Sequence, residues 1–95
     1  MMDLGIAGKT AIVCGSSRGL GRACARSLAR AGCKVLVNGI DPDRLAATAI
    51  DIRKETGSEI IEVAGDVTTH AGQDALFEKC DAPDILITNA GGPPF

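Results

Sequence analysis

Thr10-Ala11-Ile12-Val13-Cys14-Gly15-Ser16-Ser17-Arg18-Gly19-Leu20-Gly21 is the stretch on which the reading of the whole chain turns. An apolar run ends at Cys14, glycines stand at 15, 19 and 21, and a helical pattern runs on from there to residue 31. A strand that becomes a helix through glycines offers the unpartnered N–H groups of the first helical turn to a phosphate, at the partly positive end of the macrodipole. Gly15 suits the sharp exit from the strand, and Gly19 and Gly21 leave room for a pyrophosphate and for the neighbouring strand. Ser16, Ser17 and Arg18 are expected on the same rim, bringing two hydroxyls and a guanidinium. The spacing is G-x-x-x-G-x-G rather than the commoner G-x-G-x-x-G, so a bland structural turn is the competing reading.

The 95 residues suffice for one small domain, and the net charge of −2 makes no electrostatic case for nucleic acid or an anionic membrane. With two Phe, no Trp and no Tyr, the core must be built from aliphatic residues and Cys, which suits helices packed closely on a parallel sheet. Cys14, Cys24, Cys33 and Cys80 are scattered without a C-x-x-C pair, and His70 stands alone, so neither a metal site nor a disulfide framework is indicated. No signal-peptide pattern and no run of membrane-spanning length is visible, which makes the cytoplasm the expected compartment. Arg22, Arg26 and Arg30 share a helix face, a spacing that more often marks a solvated face than a binding patch.

Outward from the glycines, strands are expected over 9–14, 34–38, 59–64 and 85–88, and helices over 20–31, 42–56 and 70–80. The first helix should bury Leu20, Ala23, Cys24, Ser27, Leu28 and Ala31 and end at Gly32. Asp41 and Pro42 open the second helix as N-cap and first residue, Leu45, Ala49 and Ile52 are its buried stripe, and Gly57 closes it. The third strand alternates enough for a sheet edge, and the third helix should bury Ala75, Leu76 and Cys80. Strict alternation of strand and helix means an α/β fold with a parallel sheet. Right-handed crossovers and a site after the first strand give strand order 3-2-1-4, with loops 15–21, 66–68 and 89–92 around one crevice.

With those loops in view the chain resembles the N-terminal half of a short-chain dehydrogenase/reductase, nearest to 3-oxoacyl-(acyl-carrier-protein) reductase-like members. The family's T-G-x-x-x-G-[IL]-G motif matches Gly15, Gly19, Leu20 and Gly21; its D-V motif matches Asp66-Val67; its N-N-A-G motif matches Asn89-Ala90-Gly91. Cys14 stands where the family has Thr, and Thr88 where it has the first Asn. The resemblance implies a Rossmann-like, doubly wound sheet holding a nicotinamide dinucleotide, with Asp66 accepting from the adenine amino group, the Val67 backbone alongside, and Asn89, Ala90 and Gly91 lining the adenosine ribose. It also implies hydride transfer to a small-molecule carbonyl or from an alcohol, and a homo-oligomer. Singly, Asp66 reads equally as a helix or turn cap and Asn89 as a turn residue.

An NAD enzyme usually ends its second strand with an acid that bonds the ribose 2′-hydroxyl. Asn38-Gly39-Ile40 holds that place here, Asp41 is accounted for as a cap, and Arg18 can meet a 2′-phosphate, so NADP(H) is favoured over NAD(H). The family's catalytic Y-x-x-x-K is missing because the chain has no tyrosine, so no catalytic residue is assigned within it. Residues 1–95 therefore read as an NAD(P)-binding half-domain cut before the catalytic segment and inactive in isolation. One alternative is a non-catalytic nucleotide-binding or interaction module. Another is a methyltransferase-like sheet, against which the Asp66 and Asn89 loops argue.

Overall fold

A computed structural model describes residues 6–16, 19–80 and 82–88. In chain order the elements are β1 (Thr10–Val13), α1 (Gly19–Arg30), β2 (Lys34–Gly39), α2 (Pro42–Thr56), β3 (Ile60–Ala64), α3 (His70–Lys79) and β4 (Ile85–Ile87). The strands pair in parallel, as the alternation of elements implied, in the order β3-β2-β1-β4 expected from right-handed crossovers and a site after β1. Ala11 lies opposite Val35 on one side and Ile85 on the other. Reciprocal bonds from Thr10 N to the Asp84 carboxylate and from Asp84 N to Thr10 O, both 2.9 Å, pin the entry of β4 to β1.

Period-2 alternation along the central strands splits the core in two. Ala11, Val13, Val35 and Val37 face α1 and α2, where Ala25, Ala29, Leu45, Ala49 and Ile52 close over them. Ile12, Cys14, Leu36 and Val63 face the other way, where Leu76 of α3 covers them. The sheet is doubly wound, with two helices on one face and one on the other.

Local sequence explains the helix ends. Asp41 Oδ1 accepts from Asp43 N (3.0 Å) and Arg44 N (3.3 Å), and Pro42 follows where its missing N–H costs nothing. Bonds from Cys33 N to Leu28 O and from Gly32 N to Ala29 O close α1 with a Schellman motif. Thr69, rather than Asp66, caps α3, its hydroxyl accepting from Gly72 N.

The rotation of α1 differs from the stripe expected from its sequence. Gly21, Ala25 and Ala29 face the sheet, whereas Leu20 is 80% exposed and Ala23 and Ser27 are also exposed. The cause is steric. A Cβ on Gly21 would lie 2.1 Å from Gly15 O, so the helix seats its barest position against the strand exit and the i+4 row of alanines follows onto the sheet. This rotation turns the arginines toward α2: Arg22 pairs with Asp51 (3.0 Å), and Arg26 (3.0 Å) and Arg30 pair with Glu55. These pairs are partly solvated and contribute little stability each, but they account for the arginine row as a seam between helices.

The two readings of α1 predict opposite outcomes for one pair of substitutions. Ala25→Leu should overpack the helix–sheet contact and cost about 1–3 kcal/mol, seen as a lower denaturation midpoint. Ala23→Leu on the exposed face should stay within roughly 0.5 kcal/mol of wild type.

Candidate functional site

Parallel strands bring the loops that follow β1 and β3 to the same end of the sheet, and β4 starts the reversal of strand order beside β1. Gly15 turns the chain out of β1 with φ +64°, and α1 starts at Gly19. Gly19 and Leu20 are exposed at the start of the helix, and Gly21 is buried against the loop. Ser17, Arg18 and Asn89-Ala90-Gly91 lie outside the described residues.

Ser16 departs from expectation. Its side chain is fully buried instead of standing on the rim. The hydroxyl accepts from Asn38 N (2.7 Å) and donates to Asn38 O (3.1 Å), and Ser16 N donates to the same carbonyl (2.7 Å). A small hydroxyl fits here because it meets β2's unpaired backbone groups inside the fold, where an unmet polar group is costly.

In the sequence Asn38 stands out only for not being an acid. The structure gives it a task. It is 2% exposed; Oδ1 accepts from Gly15 N (3.3 Å) and Nδ2 donates to Val63 O (3.0 Å) and Gly65 O (3.1 Å). The signal that could have found it is a lone amide at the end of an otherwise apolar strand. Beside it, Ile40 is 72% exposed at the strand's exit.

Asp66 and Val67 follow the end of β3. Asp66 Oδ1 accepts from Thr68 Oγ1 (2.6 Å) and Thr68 N (2.9 Å). These two bonds, the hydroxyl first, hold its carboxyl below the ordinary carboxylate range and outweigh a small opposing effect of desolvation. Asp66 is thus an ionised acceptor at neutral pH. Asp66 O accepts from Thr69 N (3.0 Å) and Thr69 Oγ1 (2.7 Å), and Gln73 Nε2 donates to Val67 O (2.9 Å). Gly72, which sequence reasoning passed over, makes this possible. A Cβ there would fall 1.9 Å from Asp66 O, so the loop lies directly on bare helix backbone. Gly72 stands in the first turn of α3, where its N–H meets the Thr69 cap as that of any residue with a side chain could, and a glycine chosen there was the overlooked signal.

Between α3 and β4 lies a mainly apolar cavity of about 310 Å³, bordered by Cys14, Val67, Leu76, Phe77, Leu86 and Thr88 among others. Phe77 and Leu86 are 44% and 51% exposed. Burial pushes the Cys14 thiol above its ordinary range, so it stays neutral and acts as a small hydrophobe rather than a nucleophile. Among the described residues no helix is long and apolar enough to cross a membrane, and no group of three or more His, Cys, Asp or Glu is gathered to hold a metal.

The glycine turn, the Asp66-Val67 loop and the 3-2-1-4 sheet have counterparts among known proteins. The family model described as short chain dehydrogenase matches residues 9–95. The chain belongs to the short-chain dehydrogenase family. The 3-oxoacyl-[acyl-carrier-protein] reductase FabG of Aquifex aeolicus is 35% identical over 94 residues, which cover 95% of this chain and 38% of that protein. The uncharacterised oxidoreductase YvaG of Bacillus subtilis is 35% identical over 91 residues, covering 95% of this chain and 34% of that protein. The crystal structure of L-sorbose reductase from Gluconobacter frateurii, complexed with NADPH and L-sorbose, superposes with TM-score 0.92 at 38% identity, covering 98% of this chain and 37% of that one. The chain thus spans little more than a third of the length of these short-chain dehydrogenases.

Gly72→Ala tests the loop's dependence on α3. Driving a methyl group into Asp66 O should displace the Asp66–Thr68 turn and cost about 1–3 kcal/mol. The Asp66 carboxyl, loosened from Thr68, should titrate higher than in wild type by NMR. Its stabilising share is present above the ordinary carboxylate range and is lost as pH falls through the lowered folded value, so the gap between variant and wild type should narrow in acid.

Proposed function

We propose that residues 1–95 are the dinucleotide-binding part of an NADP(H)-dependent oxidoreductase that reduces a carbonyl, or oxidises an alcohol, by hydride transfer. The carrying observation is the end of β2. Asn38 spends its amide inward, the Asp41 carboxylate caps α2 through Oδ1, and the exposed side chain of Ile40 is apolar. The strand exit itself thus carries an aliphatic side chain where an NAD enzyme has its acid, whereas Arg18 in the glycine loop suits a 2′-phosphate. L-sorbose reductase, of similar fold and complexed with NADPH, supports the same reading.

In this reading the backbone N–H groups at the start of α1 bind the pyrophosphate, with Gly15, Gly19 and Gly21 keeping side chains out of its way. Ser17 and Arg18 flank it, Leu20 covers it, Asp66 accepts from the adenine amino group beside Val67, and Asn89, Ala90 and Gly91 line the ribose. Ser16 contributes from beneath the loop, by holding it to β2. The nicotinamide, when bound, supplies the hydride; this chain's residues orient it. A proton donor is also needed at the developing alkoxide, and with no tyrosine here that group belongs to other parts of the protein. The isolated chain therefore binds without turning over. Four free cysteines fit the reducing cytoplasm, and the open face beside Phe77 and Leu86 fits burial by further chain and a homo-oligomeric parent.

Calorimetry on the natural protein tests the cofactor. NADPH should bind more tightly than NADH, and Arg18→Ala should remove most of the difference, about 1–3 kcal/mol, with NADH affinity little changed. Equal affinities in wild type would overturn the assignment.

A further inference from the structure

The loops that would hold the two halves of a dinucleotide follow strands that are not neighbours. β2 lies between β1 and β3, so no ladder bond joins the Gly15 turn to the Gly65-Asp66 turn. We infer that Asn38 is the positioning residue that locks these two loops together, and that the span between pyrophosphate site and adenine site is set by its amide. This rests on the dinucleotide reading and adds to it a residue that touches no part of the ligand.

One planar group reaches both loops. Oδ1 takes the Gly15 N–H, and Nδ2 gives one proton to Val63 O at the end of β3 and the other to Gly65 O, one residue before Asp66. The backbone of the same residue exchanges hydrogen bonds with Ser16, the next residue of the glycine turn. At 2% exposure water does not replace these bonds, so each is costly to leave unmade. The bonds also specify the residue type. One acceptor and two donors in one plane are needed, which a carboxylate or an aliphatic group of similar size does not supply.

Asn38→Asp and Asn38→Leu in the natural protein test this, with the NADPH dissociation constant and stoichiometry measured at about pH 8 and about pH 5.5. An ionised aspartate would point a buried negative charge at the Val63 and Gly65 carbonyls; a protonated one could donate to one of them. Its ionisable sequence neighbours across the contact are Cys14, beside Gly15, Glu62, beside Val63 and paired with Arg53, and Asp66, beside Gly65, and none of the three supplies a positive charge. For N38D the expected result is an NADPH dissociation constant raised roughly tenfold or more at the higher pH and partly recovering at the lower pH. For N38L the loss should appear at both pH values. General destabilisation would instead lower the stoichiometry and leave the dissociation constant of the folded fraction unchanged.

A dissociation constant within twofold of wild type in either folded variant at both pH values, or an N38D loss independent of pH, overturns the inference. Should neither variant fold, hydrogen exchange in the wild type decides. A common slow opening for the Gly15 N–H and the Asn38 side-chain protons is expected, and a freely exchanging Gly15 N–H beside protected side-chain protons overturns it. Wild-type protein that binds no NADPH defeats the dinucleotide reading first, and the inference falls with it; normal wild-type binding with an indifferent N38D defeats the inference alone.

Discussion

Backbone lies directly against backbone where α1 meets the exit of β1, and the rest of the fold is arranged around that approach. Gly21 lies so near Gly15 that even a methyl group there would overlap the carbonyl. From that contact follow the rotation of α1, the placing of alanines rather than leucines against Val13 and Val37, and the turn of the arginines toward α2. A dispersion contact is weak singly, but a helix held this near a sheet makes many of them at once. The same approach leaves the start of α1, at Gly19 and Leu20, exposed at the sheet's end, which is where the dinucleotide reading puts the pyrophosphate. In the dinucleotide reading, packing and binding are therefore one constraint, met within the first turn of one helix.

A second glycine repeats this arrangement on the opposite face. Gly72 lets α3 lie on the Asp66 carbonyl as Gly21 lets α1 lie on Gly15. Both loops around the crevice are thus seated on bare helix backbone, and Asn38 joins them from below. Such a site needs few charged groups in its supporting structure. Its directed bonds come from two amides, three hydroxyls and peptide groups, and Asp66 is the carboxylate among them. Preorganisation of this type lets a ligand bind without first ordering the loops that receive it.

The architecture was legible because it depends on patterns longer than any single contact. Apolar strands at 10–13, 34–39 and 85–87, caps at Asp41 and Gly57, and strict alternation define a parallel α/β sheet, and the glycine turn after β1 points to the order 3-2-1-4. The rotation of α1 was not legible. Periodicity ranks residues by hydrophobicity, and Leu20, Ala23 and Ser27 form as good a stripe on paper as Gly21, Ala25 and Ala29 do in space. Only the clearance at Gly21 separates them, and clearance is a tertiary quantity. The side chain of Ser16 was misplaced for a related reason: a hydroxyl in a glycine loop suggests the rim until the unmet backbone groups of β2 are found beneath it. For Asn38 and Gly72 the sequence held the signal, as a polar residue and a glycine each placed where its cost needed a reason.

The two faces of the sheet are finished to different degrees, and that difference bears on how the family fold is divided. On the α1–α2 face Val13, Val35 and Val37 are fully buried, and ion pairs seal the helix seam. On the other face α3 alone covers Leu36 and Val63, and Phe77 and Leu86 remain half exposed beside the cavity under Val67 and Cys14. In the dinucleotide reading, adenine recognition at Asp66 sits at the edge of this open face, whereas the pyrophosphate turn sits at the end of the closed one. In that reading the pyrophosphate turn rests on a face that two helices close, and the adenine end on one that α3 covers alone.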